Sequence, residues 1–141
     1  MAGNITPIFS KVGDIQWGGV NLAANTATDG TGTVKTIFTA DATNGGRVER
    51  VRGMHAGTNT ATAVRIFVNN GSTQTVAANN CLIAEATAAG NTLSQVAASV
   101  VAFDIATAPF PMVLPPGYAL LETQGTVTSA GIKCNDRSRH L

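Results

Sequence analysis

The chain has 141 residues, of which only 12% are charged, and its net charge is +1. This length suits one domain with a real hydrophobic core, and the charge argues against a dedicated nucleic-acid binder, which would show a basic patch or stripe. With few charges, the surface must consist mostly of Thr, Asn, Ser, Gln and Ala, which suits a protein that packs against neighbouring molecules. We expect neither a membrane span nor a secretory signal, because no apolar run approaches about 18 residues and the first residues lack the signal pattern.

Residues 1–19 are predicted to form an extended N-terminal arm, whose candidate anchors are the apolar side chains of Ile8, Phe9 and Trp17. A helix is the alternative, because Thr6 followed by proline would suit a helix cap and first residue. The glycines that follow would end such a helix early, so at most one helical turn is expected. Whether the arm packs on its own domain or reaches a neighbouring subunit stays open.

The rest of the chain up to residue 134 is predicted to be an all-β domain. Asn-Gly pairs, the strongest short-range hairpin signal, stand at Asn44 and Asn70. Helix signals are poor, because Ala-rich stretches are broken by Gly, Asn and Thr. Strands are predicted at residues 33–40, 47–56, 62–68, 81–87, 92–96, 99–105, 118–123 and 125–134. About eight short antiparallel strands favour a β-sandwich, jelly roll or barrel.

The second predicted strand holds the densest basic cluster, formed by Arg47, Arg50 and Arg52. Val48 and Val51 are out of phase by one residue, which predicts a bulge between them. Strand spacing then places Arg50 and Arg52 on the same face. This face is either simply solvated or a rim that pairs with acidic groups on a partner protein.

Two further features mark the C-terminal third. The four prolines of segment 109–116 argue against a central strand before Gly117. Residues 135–141 are polar and charged, and we predict a flexible tail. The predicted organisation is therefore an arm at 1–19, a β domain at 20–134 and a tail at 135–141.

No pattern in the sequence indicates catalysis. The segment 30–36 faintly resembles a phosphate loop, but Val34 rather than Gly precedes Lys35, and a strand rather than a helix follows. The GxSxG motif is absent, and the eight acidic residues are spread singly. His55 and His140 lack companions at metal-ligand spacing. We therefore predict no enzyme activity, no catalytic residue, no cofactor and no metal site.

Cys81 and Cys134 lie far apart, outside any CxxC pair. Two reduced cysteines are the favoured interpretation. A disulfide would need Cα atoms within about 7 Å, so the question of pairing stays open.

Four segments carry a resemblance to a known family: AGNITPIFSKVGDIQWG, TDGTGTVKTIFTADATNGGRVERVR, ATAVRIFVNNGST and LPPGYAL. Together they resemble the small cement, or head-decoration, proteins of tailed bacteriophages, and the resemblance covers nearly the whole chain. It implies a jelly-roll or β-sandwich fold that binds the outside of an assembled icosahedral capsid and clamps adjacent major capsid subunits. It also implies that the protein forms a dimer or trimer. The protein would be made in the host cytoplasm and become part of the exterior of the virion, without direct contact to nucleic acid or membrane.

Under this resemblance, the candidate contact residues are Ile8, Phe9 and Trp17 in the arm, together with Arg47, Arg50 and Arg52 in the charged strand. The alternative is a carbohydrate- or receptor-binding β module of a phage tail or fibre. Such sites usually offer exposed aromatic rings for stacking, and this chain has one Trp and one Tyr, which makes the alternative weaker.

Overall fold

Ten strands and one short 3-10 turn, Ala77–Asn79, make up the regular structure of residues 12–141, the part of the chain that this computed structural model describes. None of the helical structure in that range is long and apolar enough to cross a membrane. The strands are β1 (Val12–Asp14), β2 (Trp17–Asn21), β3 (Lys35–Thr39), β4 (Gly46–His55), β5 (Thr62–Asn69), β6 (Asn80–Ala88), β7 (Val101–Ile105), β8 (Met112–Leu114), β9 (Ala119–Gln124) and β10 (Ile132–His140).

The strands form two antiparallel sheets. One sheet has the order β1-β10-β4-β7, with β2 also on β10 and β8 also on β4; the other has the order β3-β9-β5-β6. The pairs follow one another outward from a central hairpin, so that each pair joins strands further apart along the chain. They are β5 with β6, β4 with β7 and β8, β3 with β9, and β2 with β10. Two further ladders, β10 with β4 and β9 with β5, complete the sheets. The all-β prediction is confirmed.

The core lies between the two sheets and is built from strand residues that alternate inward and outward. Gly53 leaves the space that the ring of Phe103 occupies, because a Cβ at this position would collide with that ring. The fully buried apolar side chains include Phe38, Val48, Val51, Val64, Ile66, Leu120 and Ile132.

The predicted bulge in the charged strand is confirmed. In the β4–β10 ladder Arg50 pairs with Arg137, whereas Val48 pairs with Ser138, so Glu49 is the extra residue. The bulge lets both Val48 and Val51 point into the core. A second bulge in β3 buries Ile37 as well as the neighbouring phenylalanine, whereas regular alternation along a strand would place them on opposite faces.

The Asn-Gly turns differ from the hairpin prediction. The turn at Asn44 carries the chain from β3 in one sheet to β4 in the other, so it closes no hairpin. There the side chain of Asp41 accepts the backbone N–H of Thr43 and Asn44 at 3.0 and 2.8 Å, and Gly45 takes a φ of +82°. The strands around Asn70 do form a hairpin, but residues 70–79 all belong to the connection.

The two ends of the chain also differ from the prediction. Residues 135–140, expected in a flexible tail, form the second half of β10 and pair with β4 along their whole length. Residues 12–14 and 17–19, expected in the arm, belong to strands on the opposite edge of β10. Ile8 and Phe9 lie outside the described residues. Segment 92–96 is not a strand, and the strand expected at 125–134 begins only at residue 132.

Candidate interaction surface

The outward face of β4 and β10 concentrates the positive charge of the chain. Val48 and Val51 of β4 and Cys134 of β10 point into the core. The side chains next to them along each strand therefore face outward. These outward positions hold six of the nine Lys and Arg residues: Arg47, Arg50, Arg52, Lys133, Arg137 and Arg139. Glu49 and Asp104 are the two carboxylates that contact them. The face therefore carries an excess of four positive charges in a chain whose net charge is +1.

Two groups of ion pairs neutralise part of this positive charge. The Nε of Arg50 donates to Oδ1 of Asp104 at 2.6 Å, and its Nη2 bonds the other carboxylate oxygen. The Arg50 hydrogen bond holds the pKa of Asp104 below its usual range, and Arg52 lowers it further through charge alone. Glu49 lies 3.7 Å from the Nε of Arg137 and 3.3 Å from that of Arg139.

Arg52 differs from the arginines around it. It lies in register with Asp104 on β7 and with Asn135 on β10, yet no carboxylate of the described residues is within ion-pair distance. Its Nε is buried and has no hydrogen-bond acceptor in the same part of the chain. Because both oxygens of Asp104 are bound by Arg50, the guanidinium of Arg52 keeps donors available for a ligand.

An open groove of about 770 Å³ lies beside Arg52. Residues 135–139 of β10 form its floor, Arg50 and Arg52 form one wall, and residues 13–15 form the other. The second wall exists because β1 and β2 pair with the same edge of β10. Ile15, in the short connection between them, lines the groove and is 63% exposed.

A smaller hollow of about 430 Å³ continues from this groove, since Ile15 and Asn135 line both. Trp17 lines the hollow and is 70% exposed. Exposed Trp and Arg side chains are the residue types that most often dominate protein–protein binding energy. We call the outward side chains of β4 and β10, together with Ile15 and Trp17, the basic face.

The basic face unites residues that the sequence suggested separately. Arg47, Arg50 and Arg52 share one face as predicted, and Trp17 lies on the same sheet. Sequence reasoning missed Arg137 and Arg139 because segment 135–141 was predicted to be a tail, and it did not link Lys133, in the strand predicted at 125–134, to the arginines of β4. No local pattern marked this half of the strand, because residues 135–139 are polar or charged at every position rather than at every second one.

The interior contains a buried carboxylate at Glu122, which is 1% exposed. Its Oε2 accepts a hydrogen bond from Nδ2 of Asn21 at 3.0 Å, whereas its Oε1 has no partner among the described residues. Burial raises the pKa of Glu122 to about 7, although the Asn21 hydrogen bond and the charge of Lys35 oppose that rise. A group with this pKa titrates near neutral pH, and it does not line the 770 Å³ groove or the 430 Å³ hollow.

Asp136 is a second buried carboxylate, on the inward side of β10. Its Oδ1 accepts the backbone N–H of Gln16 at 2.7 Å, and burial raises its pKa to about 6. The described residues bring no three His, Cys, Asp or Glu side chains together in an arrangement that could hold a metal ion.

The cysteines are separate in the fold. Cys81 is exposed on β6 and Cys134 is buried in β10, and both are free thiols. Burial raises the pKa of Cys134 well above its ordinary value, which disfavours the reactive thiolate.

Comparisons of the chain with protein-family models, with curated proteins and with solved structures found no match.

Proposed function

We propose that this chain is a structural protein of a tailed-phage virion, which binds the outer surface of the assembled capsid and clamps adjacent major capsid subunits. The observation that carries the proposal is the basic face, where excess positive charge and exposed apolar side chains share one side of a single sheet. The resemblance of the sequence to cement proteins supplies the identity of the partner.

The fold that we propose for this role is a jelly roll. Its support is the nested pairing of β2 with β10, β3 with β9, β4 with β7, and β5 with β6. A long antiparallel hairpin with these pairs, rolled so that β10 meets β4 and β9 meets β5, has the two Greek keys of a jelly roll.

The mechanism is stabilisation by linked binding. A protein that binds the expanded shell more tightly than its precursor lowers the free energy of the expanded state. Many copies on a symmetric lattice add their contributions, so no single contact has to be strong. Self-association as a dimer or trimer, which is part of the proposal, would place several basic faces on neighbouring capsid subunits at once.

Heat challenge of virions made with and without this chain tests the proposal. Release of the genome, followed with a DNA-binding dye, should begin at a lower temperature in particles that lack the chain. Addition of the purified protein to those particles should restore the original temperature. Identical release temperatures in all three samples would show that the chain does not stabilise the shell.

A carbohydrate- or receptor-binding module of a tail or fibre is the second candidate. It is favoured by Trp17, whose exposed ring borders the 430 Å³ hollow and offers a platform on which a sugar ring could stack. Trp17 is the only Trp in the chain, so its fluorescence reports directly on this site. Saturable quenching by oligosaccharides of the host surface would favour this candidate, and unchanged fluorescence would count against it.

A further inference from the structure

We infer that the groove of the basic face binds an extended acidic segment of a protein, with Arg52 as the main anchor for a carboxylate. The inference rests on the proposed binding role and adds the chemistry of the partner. It identifies the segment by its charge and shape. Four arginines line the groove, and the carboxylates that line it with them are Asp14 and Asp136. Asp14 is already bound by Gln16 and His140 and Asp136 is buried, so the accessible charge in the groove is mainly positive.

Arg52 is the anchor because its neighbours are already engaged. Arg50 gives two donors to Asp104, and Glu49 neutralises Arg137 and Arg139 in part. Arg52 has no carboxylate partner in the described chain, and residues 1–11 contain no Asp or Glu that could supply one. A ligand carboxylate in the groove would meet the terminal nitrogens of Arg52, which form no ion pair with the described residues, and guanidinium–carboxylate hydrogen bonds are among the strongest in proteins.

The spacing of charges fits an extended chain. Arg137 and Arg139 project outward from alternate positions of β10, and alternate residues of a strand are about 7 Å apart. An extended segment with acidic residues at every second position repeats with the same spacing. Ile15 is exposed at the side of the groove, and Trp17 lies in the adjoining hollow, so apolar residues at the end of such a segment would have apolar surface to contact.

The same observations favour a protein over a nucleic acid. The carboxylates of Glu49 and Asp104 lie among the cations and would repel a continuous row of phosphates. Nucleic-acid binders instead present an unbroken basic patch or stripe. Ile15 and Trp17 add apolar surface that an acidic segment with interspersed aliphatic residues would cover.

Fluorescence anisotropy with a defined peptide tests the inference without any virus particle. The probe is a short fluorescein-labelled peptide of alternating Glu and Ile, and a peptide with Gln in place of Glu is its neutral counterpart. We expect saturable, salt-sensitive binding of the acidic peptide and at least tenfold weaker binding of the neutral one. Arg52→Gln should weaken acidic-peptide binding by about tenfold, which corresponds to the loss of one charged hydrogen-bond pair.

Arg47→Gln is the matched control, because Arg47 lies on the same strand and face but does not line the groove. This variant removes the same charge and should change binding by less than about threefold. Equal losses in the two variants, equal binding of both peptides, or tighter binding of single-stranded DNA than of the acidic peptide would each overturn the inference. Such a failure would leave the heat-challenge result on virions unaffected, so the two proposals fail separately.

Discussion

Arg52 and Asp104 lie directly opposite each other on β4 and β7, yet the carboxylate of Asp104 is bound by Arg50 instead. One acidic side chain thus meets two arginines and satisfies one of them. The unsatisfied arginine borders the larger groove of the basic face. Because Arg50 binds Asp104, Arg52 is the position on this exposed sheet surface at which we expect an acidic ligand to bind.

Removal of the competing carboxylate should strengthen ligand binding. In Asp104→Asn, Arg50 loses its ionic partner and a second guanidinium becomes available in the groove, so we expect about threefold to tenfold tighter binding of the Glu-Ile peptide. Peptide titration measures this change. Glu85→Gln, which removes a negative charge from β6 in the other sheet, should leave the affinity nearly unchanged, and an equal gain in that variant would mean that only net charge matters.

Trp17 should contribute to binding but not to folding. Because 70% of its surface is exposed, Trp17→Ala should change the free energy of unfolding by no more than about 0.5 kcal/mol. Occupancy of virions by the same variant should fall severalfold, since interface Trp residues often dominate binding energy. Val127→Ala, at a position that is 67% exposed outside the basic face, is the control, and equal occupancy in the two variants would exclude Trp17 from the contact.

Gln16 should hold one edge of the two sheets together. Its Oε1 accepts the backbone N–H of Thr39 at 3.0 Å, and its Nε2 donates to the Thr39 carbonyl at 3.3 Å and to Asp14 at 2.7 Å. Gln16→Ala should therefore destabilise the protein by about 1–2 kcal/mol and speed hydrogen exchange of the Thr39 amide. Gln16→Glu keeps an acceptor for that amide, so the same exchange rate in both variants would contradict this assignment.

Stability should fall as the pH rises from about 5 to 8. The pKa of Glu122 is raised from its ordinary value of 4.5 to about 7, so between these values the folded state holds a proton that the unfolded state has released. Stability is therefore greatest below the ordinary value and is lost as the pH rises through the folded pKa. The raised pKa of Asp136, about 6, acts in the same direction.

The variant Glu122→Gln isolates this contribution, because its side chain stays neutral at every pH. Urea unfolding should show the variant more stable than the wild type by about 2 kcal/mol at pH 8, with little difference at pH 5. The same stability difference at both pH values would show that Glu122 does not titrate in this window.

Below pH 4 the trend should reverse, because other carboxyls have lowered pKa values. Hydrogen bonding to Gln16 lowers the pKa of Asp14, and hydrogen bonding to Arg50 lowers that of Asp104. Stability from such groups is present above their ordinary value and is lost as the pH falls through their folded pKa. Unfolding midpoints measured across the pH range should thus pass through a maximum near pH 4–5 and decline on both sides.

Local patterns made some features predictable. The alternation of Val64 and Ile66 marks β5, and the phase shift between Val48 and Val51 marks the bulge of β4. These signals come from side chains that must point into a shared core, so neighbouring residues suffice to reveal them.

The remaining features depend on contacts between distant segments. The second half of β10 is polar because it lines the groove on one side and holds Asp136 and Ser138 on the other, so it lacks the apolar alternation of a strand. The turn at Asn44 could not reveal that its flanking strands belong to different sheets. Arg50 and Arg137 meet only because β4 and β10 pair, so half of the basic face was invisible to local sequence reasoning.

Electron cryo-microscopy of virions that carry this chain is the most direct test of its proposed role. We expect density for the two-sheet domain on the outside of the head, in contact with adjacent major capsid subunits, with Arg52 and Trp17 facing the shell. Density found only on the tail or fibres, or a bound domain whose basic face points into solvent, would show that the chain does not act on the capsid in the proposed way.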